Sequence, residues 1–253
     1  MTDSPAAPSE LTVEGLHERP RPDDQMAQLF ASGWPPFITA DREVAAHIGR
    51  VRELFADLEL IALDGEEFAV GAVWGVPIRW TGNPAELPAG YSGTVVESVR
   101  AHDRGDRPDT LAVMAAQLHP ERRGLGTAAV LLTAMCDLAA ARGLSRVSVP
   151  LRPTLKVRYP LTPIDRFARW TRPDGSPLDP WLRTHWRLGA RVIATTPQSQ
   201  TMTGTVAEWE TWTGLVFPDS GTYVIPDALH TLDVDRDTDL GVLVEPGIWV
   251  QHR

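Results

Sequence analysis

The 253-residue chain contains one cysteine, three tyrosines and a single lysine, Lys156, among its 24 basic residues. One cysteine excludes an internal disulfide, and Cys136 lies in the apolar stretch AAVLLTAMCDLAAA, where a small buried hydrophobe is expected. No run approaches the roughly 18 apolar residues of a membrane span, and the opening MTDSPAAPSE has neither the basic nor the apolar region of a signal peptide. A cytoplasmic protein without a membrane partner is the expectation. Excess positive charge is also missing. The net charge of -9 argues against nucleic-acid binding, which draws most of its affinity from a basic face. Ligand spacing for a metal is absent too. The run Asp233, Asp235, Asp237, Asp239 carries Thr238 and Val244 where a calcium loop needs glycine and glutamate, so a solvated acidic turn is expected.

What is present is an alternation of helical and strand signals. Residues 1–10 read as a disordered lead-in and 11–18 as a strand, with helices at 22–33 and 41–57. Asp64-Gly65 separates two apolar runs, which predicts antiparallel strands at 58–63 and 67–80. A polar insertion covers 81–108, with a helix at 92–103. The apolar run TLAVMAAQL (110–118) predicts a strand covered on both faces, followed by a buried helix ending near Gly143 and a strand at 146–151. Pro150 in that strand cannot donate to a ladder and predicts a place where a neighbouring strand has peeled away. A helix at 177–190 and a mixed C-terminal extension at 191–253 complete a single mixed α/β domain over 11–253.

Between strand and helix lies HPERRGLGTA, residues 119–128. Glycines at a helix N-terminus present unpaired amides and the positive end of the helix dipole, which together suit an anion. The loose dinucleotide fingerprint G-x-G-x-x-A also fits Gly124 to Ala129, but five residues separate it from its strand and no acid occurs between Asp137 and Asp165. That interval instead carries Arg142, Arg146, Arg152, Lys156 and Arg158, a positive concentration suited to a ligand with several phosphates.

The run Leu118 to Ala128 resembles motif A of the GCN5-related N-acetyltransferases, Q/R-x-x-G-x-G/A, with Arg123, Gly126 and Ala128 at the specified positions. The resemblance implies a splayed sheet flanked by helices and acetyl-CoA, or another acyl-CoA, as co-substrate. It implies that Arg123, Gly124, Leu125, Gly126, Thr127 and Ala128 hold the pyrophosphate, and that the pantetheine arm runs along Ala116 and Leu118. The implied reaction is acyl transfer to the amine of a small molecule. A homodimer is left open.

The family's proton-donating tyrosine stands four residues before a helix-ending glycine. Here that position is His185, ahead of Gly189. No carboxylate lies between Asp109 and Glu121, where the family often places its base, so Glu208 and Glu210, read as neighbours on one strand face, become the base candidates. Trp34 and Phe37 are the acceptor-contact candidates. The missing tyrosine and carboxylate keep alternatives open: thioester hydrolysis, decarboxylation, acyl transfer to oxygen, or CoA binding without catalysis.

Overall fold

A computed structural model describes residues 11–21, 29, 33–65 and 68–252. The expected lead-in at 1–10 and nearly all of the expected helix at 22–33 lie outside the described residues. The strands are β1 (Leu11–Gly15), β2 (Glu59–Asp64), β3 (Phe68–Ile78), β4 (Thr110–Leu118), β5 (Arg146–Leu151), β6 (Arg191–Gly204), β7 (Gly221–Tyr223), β8 (Leu232–Asp235) and β9 (Leu240–Gln251). The helices are α1 (Arg42–Phe55), α2 (Gly90–Arg104), α3 (Thr127–Ala141), α4 (Ile164–Phe167), α5 (Pro180–Arg187) and α6 (Val206–Thr213).

The strands form one sheet in the order β1-β2-β3-β4-β5-β9-β8-β7, with β6 on the other edge of β9. The hairpin turns at Gly65, whose φ of 65° is the left-handed conformation glycine adopts without a Cβ clash. Asp41 caps α1 by accepting from the Val44 amide at 3.1 Å. The insertion yields α2, packed on α1 and pinned to β6. A Cβ at Gly90 would lie 2.3 Å from the Ser199 Cα, so only glycine allows that approach. The Ser199 hydroxyl in turn accepts from the Tyr91 amide at 3.0 Å.

Two departures on the sheet create the cleft. Trp74 faces Ala115 and Gly75 faces Val113, so Met114 is an extra residue that bulges β4. The parallel pairing of β4 with β5 covers only Thr110↔Arg146, Leu111↔Val147 and Ala112↔Ser148, and beyond that the strands part. Pro150 pairs with Trp249 of β9, and its face toward β4 lies past the last pairing, as its missing donor predicted.

Two main hydrophobic clusters share β9. The larger lies between the sheet and its helices; the smaller joins Phe37 to Met202, Val206, Trp209, Phe217 and Leu243 of the extension. Between β5 and β8, on one edge of β9, the buried Glu245 accepts from Arg152 Nε at 2.6 Å, Arg152 Nη2 at 2.8 Å and the Leu229 amide at 2.9 Å. Lys156 is buried beside it and donates to the carbonyls of Tyr159, Pro160 and Leu229. Burial pulls its pKa down to about 8, against the opposing pull of Glu245. Every donor of that ammonium is matched, so the cluster ties the loops after β5 and before β8 to the sheet.

The extension corrects one expectation. The sequence VAEWETW is helix α6, not a strand, because Thr205 and Glu208 form a reciprocal capping box.

Candidate active site

The loop after β4 turns back on itself before α3 begins. The Arg122 and Arg123 amides close onto the His119 and Pro120 carbonyls, and Gly124 and Gly126 take φ of 82° and 90°. Gly126 occupies the N-cap without a side chain to offer, and the first amides to bond back to it are those of Ala129 and Val130. The amides ahead of them therefore point out of the helix end. A Cβ at Gly124 or Gly126 would meet nothing within 4 Å, so the backbone is bare on the side a phosphate would approach.

The cleft continues along β4. The His119 amide donates to Val70 of β3 at 2.9 Å, and amide direction alternates along a strand. The amides of Leu118 and Ala116 accordingly face away from β3, toward the gap left by β5. An extended ligand arm could bond to that edge as a strand would.

At the vertex, Ser148 stands in the last pair, Ala112↔Ser148, and its Oγ is buried without a partner among the described residues, as is Nε2 of His185 on α5. Buried polar atoms are nearly always bonded, so each orphan is a position where a bound group can supply the missing partner. His185 is 0% exposed on α5. Its Nδ1 lies 2.8 Å from Nε2 of His252, and its ring meets Trp181 edge-on at a centroid distance of 4.4 Å. The His252 amide donates to Val147 at 2.9 Å, one residue below the last pair. On the other face, Trp74 beside the bulge meets Tyr91 edge-on at 6.3 Å. Burial, with Asp41 adding, pushes the Tyr91 hydroxyl well above its ordinary range, so it remains protonated.

No protein-family profile matches the chain. Its structure superposes on the loading GNATL domain of CurA from Lyngbya majuscula with a TM-score of 0.56 at 16% identity, covering 96% of each chain. The GphF GNAT-like decarboxylase in complex with isobutyryl-CoA gives 0.53 at 19% identity, covering 96% of this chain and 98% of that one. The chain has the GNAT fold. In sequence it is 28% identical over 260 residues to the arginine N-acetyltransferase avaD of Aspergillus versicolor, spanning 91% of this chain and 87% of the relative.

Within this GNAT frame the expected residues separate. Gly124 to Ala128 form the helix-end cradle, and Ala116 and Leu118 line the cleft. Arg123 leads into the loop, but its guanidinium turns toward Gly33, where a Cβ would lie 2.5 Å from Nη2. The basic interval is largely engaged elsewhere. Arg142 pairs with Asp57, Arg146 with Asp109 and Arg152 with Glu245, and Lys156 is buried on carbonyls, which leaves Arg158 exposed. The expected multi-phosphate surface is therefore an illusion of sequence proximity.

Phe37 is 2% exposed and its ring packs on Trp209 at 5.5 Å, which makes it core rather than an acceptor contact. Trp34 is half-buried. Glu208 is bound to its own helix start through the Thr205 amide and hydroxyl, which hold its pKa below the ordinary value. Glu210 accepts from the Phe217 amide at 3.1 Å. Neither shares a strand face, because neither is on a strand, and these local bonds supply no reason for either to act as base. His252 and Ser148 were missed: one lies 67 positions from its partner, and the other is a single serine in an apolar strand.

The histidine pair has a measurable consequence. Burial, with His252 adding, pulls His185 down to about 3, and burial pulls His252 down to about 4, from an ordinary 6.5. Both folded values lie below the unfolded one, so the unfolded chain binds more protons once pH drops under about 6.5. Stability is full above that pH and falls as pH decreases toward 4. Thermal unfolding followed across pH 7.5 to 4 is expected to show the decline, and it should be shallower in His185→Gln.

Proposed function

We propose that the chain transfers an acyl group, acetyl in the simplest case, from coenzyme A to the amine of a small molecule. The observation that carries this reading is the three-residue pairing of β4 with β5, which opens a backbone-lined cleft directly beneath the bare glycine loop. The residues fit such a co-substrate. The amides from Gly124 to Ala128 would hold the pyrophosphate at the α3 N-terminus, and the Ala116 and Leu118 amides would pair with the pantetheine amides. The thioester would then lie at the vertex, between Ser148 on one side and His185 on the other.

The amine attacks the thioester carbonyl directly, and the departing thiolate needs a proton. His185 Nε2 is the donor this geometry offers. Arginine is the first acceptor to test, because the curated relative is an arginine N-acetyltransferase and the segment from Val192 carries nine acids against two arginines. Trp34 is the remaining acceptor-contact candidate.

Calorimetry of the purified chain with acetyl-CoA is expected to give saturable binding, and incubation with acetyl-CoA and arginine to release thiol with formation of acetylarginine. Absence of binding at millimolar acetyl-CoA would overturn the reading. Thiol release without an acylated amine would move it to thioester cleavage.

A further inference from the structure

The proton donor just described has a difficulty that the structure itself resolves. A ring enclosed as His185 is does not hold a positive charge, so it cannot wait as an imidazolium for a thiolate to appear. Nor can a neutral imidazole give up its only N–H proton without becoming an anion, which burial disfavours equally. A neutral ring serves as donor if a second group delivers a proton to its other nitrogen in the same event. His252 is placed to do that.

We propose that His252 and His185 form a neutral two-ring proton relay from solvent to the vertex of the cleft, with His185 as the donor and His252 as the residue that reloads it. The geometry rests on three independent observations. The His185 Nδ1 to His252 Nε2 separation is 2.8 Å, a full hydrogen bond. His185 Nε2 is buried and has no partner among the described residues. The third is direction. Paired residues share a sheet face, which puts Val147, His252, Leu111 and Val113 on one side. A Cβ at Gly75, opposite Val113, would come within 3.0 Å of Met135 of α3, so this is the face on which the glycine loop starts its helix. His252 is half-buried and thus reaches water where His185 does not. This inference rests on the acyltransferase reading.

The amine nitrogen bonds to the acyl carbon and the carbon–sulfur bond breaks, with the electron pair staying on sulfur. Sulfur takes the proton from His185 Nε2. His185 Nδ1 takes the proton from His252 Nε2, and His252 Nδ1 takes one from water. Each ring ends neutral in its other tautomer, and the proton displaced from the amine leaves to solvent. Before the next turnover the relay runs back: water gives a proton to His185 Nε2, His185 Nδ1 returns its proton to His252 Nε2, and His252 Nδ1 releases one to water, which restores both tautomers.

Two measurements test it. In His252→Gln the amide can still donate to His185 Nδ1 but cannot pass a proton on. The relay predicts kcat for arginine-dependent thiol release at least tenfold down, as low as in His252→Ala, with the KM for acetyl-CoA and the melting temperature unchanged. Wild-type kcat in His252→Gln would overturn the relay, and so would a loss shared with acetyl-CoA binding, which signals a structural role. The second measurement needs no turnover. Nitrogen NMR of histidine-labelled wild-type protein at pH 7, assigned with the two glutamine variants, should show both rings neutral, with the His185 proton on Nε2 and that nitrogen shifting on acetyl-CoA addition. A His185 proton on Nδ1, or a charged ring, sinks the proposal while leaving the acyl-CoA reading intact. A wild-type protein that binds no acetyl-CoA fails at the earlier step.

Discussion

Replacing Gly126 with valine is expected to reduce acetyl-CoA affinity by more than a hundredfold while leaving the protein folded. Gly126 sits at φ 90° and ψ -7° at the head of α3, and a side chain there has open space in the protein. The folding cost is therefore backbone strain alone, about 1–2 kcal/mol or somewhat more for a β-branched residue. The binding cost is larger. Valine's Cβ and methyls would stand where phosphate oxygens must approach the amides, and each charge-assisted bond lost there is worth roughly 1.5–3 kcal/mol. Two such bonds exceed the 2.7 kcal/mol or so that a hundredfold represents. Gly143→Val is the matched control. Its φ is 71°, a Cβ would again meet nothing within 4 Å, and it lies beyond the opposite end of α3. Equal melting temperatures with affinity lost only in Gly126→Val would locate the anion site at the loop. Equal affinity in both would dislodge it.

That the loop could be found in the sequence at all has a physical reason. Its chemistry is local, because positive φ, bare amides and the start of a helix are all properties of ten consecutive residues. The same holds for the hairpin, where Asp64-Gly65 fixes both flanking strands, and for β4 and β5, whose boundaries at 110–118 and 146–151 follow from apolar runs. Pro150 even reported the splay, since a missing donor is a local fact with a nonlocal consequence.

The failures were of the opposite kind. Arg142, Arg146, Arg152 and Lys156 look like one basic cluster along the chain, yet their partners Asp57, Asp109, Glu245 and the Leu229 carbonyl come from four distant places. Sequence proximity of charge says nothing about where side chains go. The strand expected over VAEWETW failed differently. Alternation of residues in that stretch suits a strand, but the Thr205-x-x-Glu208 capping box satisfies the amides of a helix start and decides the structure. His185 was reachable only by resemblance, and nothing near His252 or Ser148 announced a role, because orphaned polar atoms exist only once a fold has enclosed them.

Replacing His185 with glutamine is the second change with a large expected effect, a fall in kcat of about a hundredfold to ten-thousandfold, the range general acid catalysis commonly supplies. Glutamine is chosen because its amide can occupy much of the imidazole's place against Trp181 and can still meet His252, so packing losses stay limited. Acetyl-CoA affinity should be nearly unchanged, since the cradle lies at the N-terminus of α3 and His185 on α5. A loss confined to kcat marks a group acting only as the thiolate departs, whereas a matching loss of binding would make it part of the cleft wall. The leaving group offers a sharper discrimination. A thioester whose thiol is strongly acidic departs without needing a proton, so an acyl donor of that kind should restore most of the variant's rate relative to wild type. If the deficit is the same for both donors, His185 is not the acid, and the orphaned Ser148 hydroxyl becomes the remaining buried polar group at the vertex to examine.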